Sequence, residues 1–186
     1  YVVNSKLDSD DDATSTYLND INDGDGLSLR EAIYWANQSG VASSISFSDS
    51  VFDNDDGTQE TIGLTMDRYI ITSSLTINGD SDGDGDTDVT IDGLGSQQVI
   101  QIEADGETIN LNSLNIVNAS KSSSGAGSAV NAFNANTVNI TDCDISNSKN
   151  TGGTAGAIYS RLSSVTINIT NSSVHGTTNG SGTARV

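Results

Sequence analysis

Proline is absent from these 186 residues, and cysteine, histidine, tryptophan and methionine occur once each. A single cysteine, Cys143, excludes an intrachain disulfide framework. Aromatics make up 5% and hydrophobic residues 34%. That is below the roughly 45–50% of an ordinary globular domain, so a thick three-layered α/β core is not expected. No apolar run exceeds the five residues 32–36, too short for a membrane-spanning helix. Basic residues are scarce: seven Lys and Arg stand against 25 Asp and Glu, for a net charge of −18. Nucleic acid is bound through cations on phosphates, so this balance argues against it and against anionic membranes. The charge is also uneven. Residues 1–107 carry 23 of the acids and a net −20, whereas 108–186 carry a net +2. Divalent cations are the natural partners of the first part; a solubilising acidic face is the plainer reading. Neither an initiator methionine nor a signal peptide is present, the pattern expected of a processed start at Tyr1.

What fills the chain instead is Ser, Thr and Asn, together 66 residues, around apolar residues at strict spacing. Ile109-Asn-Leu111, Val138-Asn-Ile140 and Ile167-Asn-Ile169 repeat at 29 residues, followed by Leu114/Ile116, Cys143/Ile145 and Ser172/Val174. A second strand precedes each, at Val99-Ile100-Gln-Ile102, Ala129-Val130-Asn-Ala132 and Ala157-Ile158-Tyr-Ser160, with a drift of one residue. Alternation of period two means strands with one buried face, and short strands at a fixed period mean a solenoid. Upstream, Ile45–Phe47, 61–64, Tyr69–Ile71, Leu75–Ile77 and Val89–Ile91 continue the signature, and Tyr69–Ile71 with Leu75–Ile77 resembles the Ile109/Leu114 pair. Gly125-Ala-Gly127 and Gly152-Gly153 read as exposed corners. The fold class expected is all-β, a right-handed parallel β-helix with 29-residue rungs. Residues 1–44 form its N-terminal strand and capping helix; residues 45–186 form the helix proper, with an Asp-rich loop at 79–92.

The one segment with helical periodicity is Ser28-Leu-Arg-Glu31-Ala-Ile-Tyr-Trp-Ala-Asn37. Ser28 and Glu31 have capping-box spacing, and Leu29, Ala32, Ile33 and Ala36 form an apolar stripe. Such a helix suits a lid over the first strands. With Asp25 and Gly26 before it, the segment resembles the Cys-Ser-Leu-Arg-Glu-Ala motif of bacterial extracellular β-helix proteins, with Leu27 where that family carries Cys. Ser74-Leu-Thr-Ile-Asn-Gly79, Asp88-Val-Thr-Ile-Asp-Gly93 and Gly153-Thr-Ala-Gly-Ala-Ile-Tyr159 are further, more generic matches. The resemblance implies a β-helix within an adhesin-like protein at the cell surface. It implies no common reaction.

The strongest chemical signal is Asp80-Ser-Asp82-Gly-Asp84-Gly-Asp86-Thr-Asp88. Calcium takes six to eight hard oxygens, and alternate Asp residues converge on one ion where Gly permits a sharp turn. Asp80, Asp82, Asp84 and Asp88 occupy positions 1, 3, 5 and 9 of a calcium loop, Gly85 position 6, and Asp86 offers a carbonyl at 7. Ile91 stands where a bidentate Glu belongs, so the loop is EF-like without being an EF-hand. A weaker candidate spans Asp20, Asn22, Asp23 and Asp25, with Glu31 twelfth from Asp20. The other acids, Asp8, Asp10–Asp12 and Asp53, Asp55 and Asp56, read as solvated turns.

Asn110, Asn139 and Asn168 are expected to point outward and hydrogen-bond from rung to rung. An aligned Asn/Thr face also suits glycan or ice. Enzymatic activity is not expected: the cations are scattered, none lies within ten residues of the Asp-rich loop, and His175 has no evident acid or nucleophile partner. The functional expectation is an extracellular structural or adhesive module stabilised by calcium. The alternatives are a polysaccharide lyase-like β-helix and a glycan- or ice-binding surface. Aligned by the repeat, Thr183-Ala-Arg-Val186 opens a new rung, so further rungs or a neighbouring copy are the partners expected at that end.

Overall fold

The strands stack in parallel along four faces, as the repeat requires. In the computed structural model, which describes residues 1–9, 16–22, 24–53, 59–122, 126–152 and 156–179, the first sheet is six-stranded. It runs Val2–Val3, Ser43–Phe47, Leu75–Asn78, Thr108–Asn112, Thr137–Thr141, Thr166–Thr170. The second sheet stacks Glu60–Gly63, Val89–Asp92, Leu114–Val117, Asp144–Ser146 and Ser173–His175. The third stacks Tyr69–Ile71, Ile100–Glu103, Val130–Asn134 and Ile158–Ser160. A short fourth face holds Ser120–Lys121, Lys149–Asn150 and Thr178–Asn179. The chain is therefore an all-β parallel solenoid of about four turns at about 29-residue spacing. In the first sheet the register is uninterrupted, Asn110 opposite Asn139 and Asn139 opposite Asn168.

Side-chain alternation follows from that stacking. Ile109, Leu111, Val138 and Ile140 are fully buried, and burial of each is worth about 1.5–3 kcal/mol relative to exposure. Their neighbours Asn110, Asn139 and Asn168 sit outward and form the expected ladder. Asn168 Nδ2 donates to Asn139 Oδ1 at 2.8 Å, and Asn139 Nδ2 to Asn110 Oδ1 at 2.7 Å. Asn110 Nδ2 then donates to Thr76 Oγ1 at 3.0 Å, which carries the ladder one rung further.

Of the glycines read as exposed corners, Gly152 is exposed, while the turns between first- and second-sheet strands rest on left-handed backbone elsewhere. Ser113, Asp142 and Asn171, between first- and second-sheet strands, adopt φ of 49–53°. Asn118, Asn147 and Gly176, one strand later, adopt 52°, 52° and 61°. This left-handed conformation is tolerated by Asn and Gly, so Gly176 turns the chain as Asn118 and Asn147 do in the two preceding rungs. Gly127, read as an exposed corner, is instead buried: a Cβ there would stand 2.3 Å from the Val130 carbonyl and 2.8 Å from the Tyr159 amide. Gly125 and Gly153 lie outside the described residues.

One strand assignment is corrected. Tyr69–Ile71 pairs with Ile100–Ile102 in the third sheet, and Leu75–Asn78 with Ile109–Asn112 in the first. Neither corresponds to the Leu114 strand, whose partner is Val89. Asn78 and Val89 are eleven positions apart, where their partners Asn112 and Leu114 are two apart. The Asp-rich loop is thus an insertion at a corner that the three following rungs turn with one or two residues.

The Leu29–Ser39 helix starts with both hydrogen bonds of the capping box. Ser28 Oγ accepts from the Glu31 amide at 3.2 Å, and Glu31 Oε2 accepts from the Ser28 amide at 2.8 Å. Leu29, Ala32, Ile33 and Ala36 join the solenoid core, and the helix packs on Val2–Val3, Ser43–Phe47 and Tyr69–Ile71. Asn37 fixes it there, donating to the Ile70 carbonyl at 2.8 Å and accepting from the Thr72 amide at 2.9 Å.

Cys143 occupies the interior position its repeat assigns, 3% exposed, with its thiol 3.3 Å and 3.4 Å from the Thr141 and Leu111 carbonyls. Burial pushes its pKa up to about 11, so the reactive thiolate is scarce at neutral pH. Native protein is expected to label with a thiol reagent far more slowly than unfolded protein. Equal rates would place the strand one residue out of register.

Candidate metal centre

The inserted loop is closed at its base by the ladder itself. Gly79 donates its amide to the Asn112 carbonyl at 2.9 Å, and Asp88 donates its amide back to the Gly79 carbonyl at 3.1 Å. Within it, carboxylates collect amides. Asp80 Oδ1 and Oδ2 accept from Gly83 and Gly85 at 2.7 and 3.2 Å. Asp82 Oδ1 accepts from Asp84 at 3.0 Å, and Asp84 Oδ1 from Asp86 at 2.8 Å. Asp88 is the buried member, 3% exposed, and its Oδ2 accepts from the Ser81 amide at 2.6 Å. The Ser81 hydroxyl lies 2.7 Å from that same oxygen and 3.0 Å from the Phe52 carbonyl, which pins the loop to the preceding turn.

Of the five acids expected as ligands, the loop brings three together. One oxygen from each of Asp80, Asp82 and Asp88 lies within 4.8 Å of the others. Oxygens on one ion at 2.3–2.6 Å are at most ~5 Å apart, so the three fit a single cation. Asp84 and Asp86 stand outside that grouping. Like charges leave a trace on Asp82. The Asp84 amide lowers its pKa, but desolvation and the charges of Asp84, Asp88 and Asp80 together outweigh that and raise it. This cluster can hold a metal ion.

At the weaker candidate, Glu31 serves the capping box with Oε2, and Asp20 is buried and accepts the Trp35 indole N–H. Asp23 lies outside the described residues, and no cation-sized grouping forms there among the described ones.

Two side chains were misread in the sequence. Asp8 is no solvated turn: its side chain is fully buried, Oδ1 accepting from Arg30 Nε at 2.8 Å and Oδ2 from the Thr65 and Met66 amides at 2.9 Å. Asp10–Asp12, Asp55 and Asp56 lie outside the described residues. His175 does have an acid partner, Asp144 of the preceding rung, at 3.1 Å, in an exposed pair. Its sequence signal was the register itself, since Ser146 lies opposite His175 and Asp144 shares that strand. No helix of the described residues is long and apolar enough to cross a membrane. The chain matches no protein-family model, no curated protein and no solved structure.

Proposed function

We propose that this chain is a calcium-stabilised, right-handed β-helix module of an extracellular, adhesin-like protein, structural or adhesive and without catalysis. The observation that carries it is the convergence of Asp80, Asp82 and Asp88 in a loop inserted at a solenoid corner. All-oxygen, carboxylate-rich donors in an adaptable loop suit calcium over softer transition metals. The extracellular setting rests on the likeness of residues 25–37 to the Cys-Ser-Leu-Arg-Glu-Ala motif, and right-handed winding on the general hand of parallel crossovers.

In this reading the Leu29–Ser39 helix is the lid of the solenoid, a role supported by its packing on the first strand, Val2–Val3. Further rungs or a neighbouring copy stack beyond Thr166–Thr170, where Ile169 is 42% exposed while its opposite number Ile140 is fully buried. The Asn ladder and its flanking threonines support the second reading, a polar face for glycan or ice.

Calorimetric titration tests the calcium site. One site per chain is expected, with a Kd in the ~0.1–1 mM range of extracellular modules. Asp80→Asn with Asp82→Asn should abolish it, while Asp84→Asn with Asp86→Asn should weaken it less. No calcium heat, or equal losses from the two pairs, would overturn the assignment.

A further inference from the structure

Of the three carboxylates that converge in the Asp-rich loop, one is buried. Asp88 is 3% exposed, whereas Asp80 is half-buried and Asp82 exposed. A buried charge is costly unless it is paired or hydrogen-bonded, and an ionised carboxylate has about four lone-pair sites to fill. Asp88 fills them on one side only. Its Oδ2 accepts from the Ser81 amide at 2.6 Å and from the Ser81 hydroxyl at 2.7 Å. Among the described residues, no donor reaches Oδ1.

Ser81 is itself held in place. Its hydroxyl lies 3.0 Å from the Phe52 carbonyl, and Phe52 is fully buried, packed edge-on against Phe47 at 5.0 Å. The hydroxyl has one proton for these two acceptors. It goes to the carboxylate, because a bond to an ionised acceptor is about twice as strong as a neutral one. At its other end, Asp88 is tied to the ladder: its amide donates to the Gly79 carbonyl, and the Gly79 amide to the Asn112 carbonyl. The sheet thus fixes the backbone of Asp88, and Ser81 is the contact that fixes the rotation of its carboxylate.

We propose that Ser81 is a positioning residue of the metal centre: it occupies Oδ2 of Asp88 and so presents Oδ1 to the ion shared with Asp80 and Asp82. The inference rests on the calcium reading of this loop and adds the uncharged residue that orients its buried ligand. A carboxylate already held in its bound orientation binds more tightly than one that must be ordered by the ion. Loss of a hydrogen bond that orients a ligating carboxylate costs about 10–100-fold in metal affinity.

The full chain, Ser81→Ala and Ser81→Thr are titrated calorimetrically with calcium chloride, at a temperature where each is fully folded. Ser81→Ala keeps the amide bond to Oδ2 and removes the hydroxyl; its Kd is expected to rise about 10–100-fold at unchanged stoichiometry. Ser81→Thr restores the hydroxyl, and wild-type affinity is expected to return with it. A hydroxyl with a structural role alone would lower the melting temperature of the metal-free chain and leave Kd where it was. Equal Kd in wild type and Ser81→Ala would overturn the positioning role while leaving the calcium site standing. Equal losses in Ser81→Ala and Ser81→Thr would overturn it as well, because side-chain volume would then matter and the hydrogen bond would not. Absence of calcium heat from the wild type would remove both the site and the role of Ser81. If Ser81→Ala fails to fold, Ser81→Cys takes its place, since it fills similar space with only a weak donor.

Discussion

Gly79→Ala is expected to lower the melting temperature by about 6–12 °C, from an overpacking cost of about 3 kcal/mol in a chain of this size. A Cβ at position 79 would stand 2.1 Å from the Ser113 carbonyl oxygen and 2.7 Å from Leu114 Cδ2. The first of these is backbone at the corner of the next rung, fixed by the Ser113 amide donating to the Thr141 carbonyl at 3.0 Å. Relief would require breaking the ladder hydrogen bond from Gly79 to Asn112, at the base of the Asp-rich loop. Gly85→Ala is the control. Nothing lies within 4 Å of its Cβ position, so only its left-handed backbone, φ 95°, is strained. Its cost should be about 1 kcal/mol. Thermal melts of the two variants separate close approach from backbone strain. Equal, small shifts would show that consecutive rungs do not meet closely at this corner.

Calcium at a hundredfold excess over its Kd is expected to stabilise the fold by about 2.7 kcal/mol, which raises the melting temperature by about 5–11 °C. A chelator should reverse it. The pH dependence provides a second, internal check. The Asp82 pKa is raised in the folded state, so without calcium the folded chain holds that proton more tightly than the unfolded chain does. The loop's contribution to metal-free stability should therefore increase as pH falls toward the ordinary Asp value of about 4, and diminish as pH rises above it. Glu31, raised chiefly by desolvation, adds in the same direction. With calcium bound the sign reverses at the loop, because protons compete with the ion for the same carboxylates. Melting curves across pH with and without calcium should converge at low pH and separate as pH rises. Curves parallel at every pH would show that no ion binds through these carboxylates.

The repeat was legible because its signals are local. Alternation places Ile109, Leu111, Val138 and Ile140 inward, and a constant step of 29 puts Asn110, Asn139 and Asn168 in one file. The capping box of Ser28 and Glu31 was equally legible, since its partners lie three residues apart. The register of the earlier rung was not. The 79–88 insertion breaks the step, and Tyr69–Ile71 and Leu75–Asn78 are as apolar as the strands they were matched to, so pattern alone cannot choose their partners. The candidate metal site was legible as a set of five acids. Which three converge depends on how amides of Gly83, Gly85 and Ser81 fold the loop back on itself.

Sequence by itself thus determined the solenoid, its period, the inward face of each strand, the helix and the acidic loop, because each depends on neighbours a few residues apart or on an exact repetition. Tertiary structure alone decided that Asp8 is a buried anchor, since its partners Arg30, Thr65 and Met66 lie 22, 57 and 58 positions away. It alone decided that Gly127 is packed against Val130 and Tyr159. The docking of the helix belongs to the same class. The Leu29–Ser39 helix packs on Tyr69–Ile71 of the third sheet, and no pattern along the chain encodes the face-to-face placement of two elements whose separation in sequence the repeat does not govern.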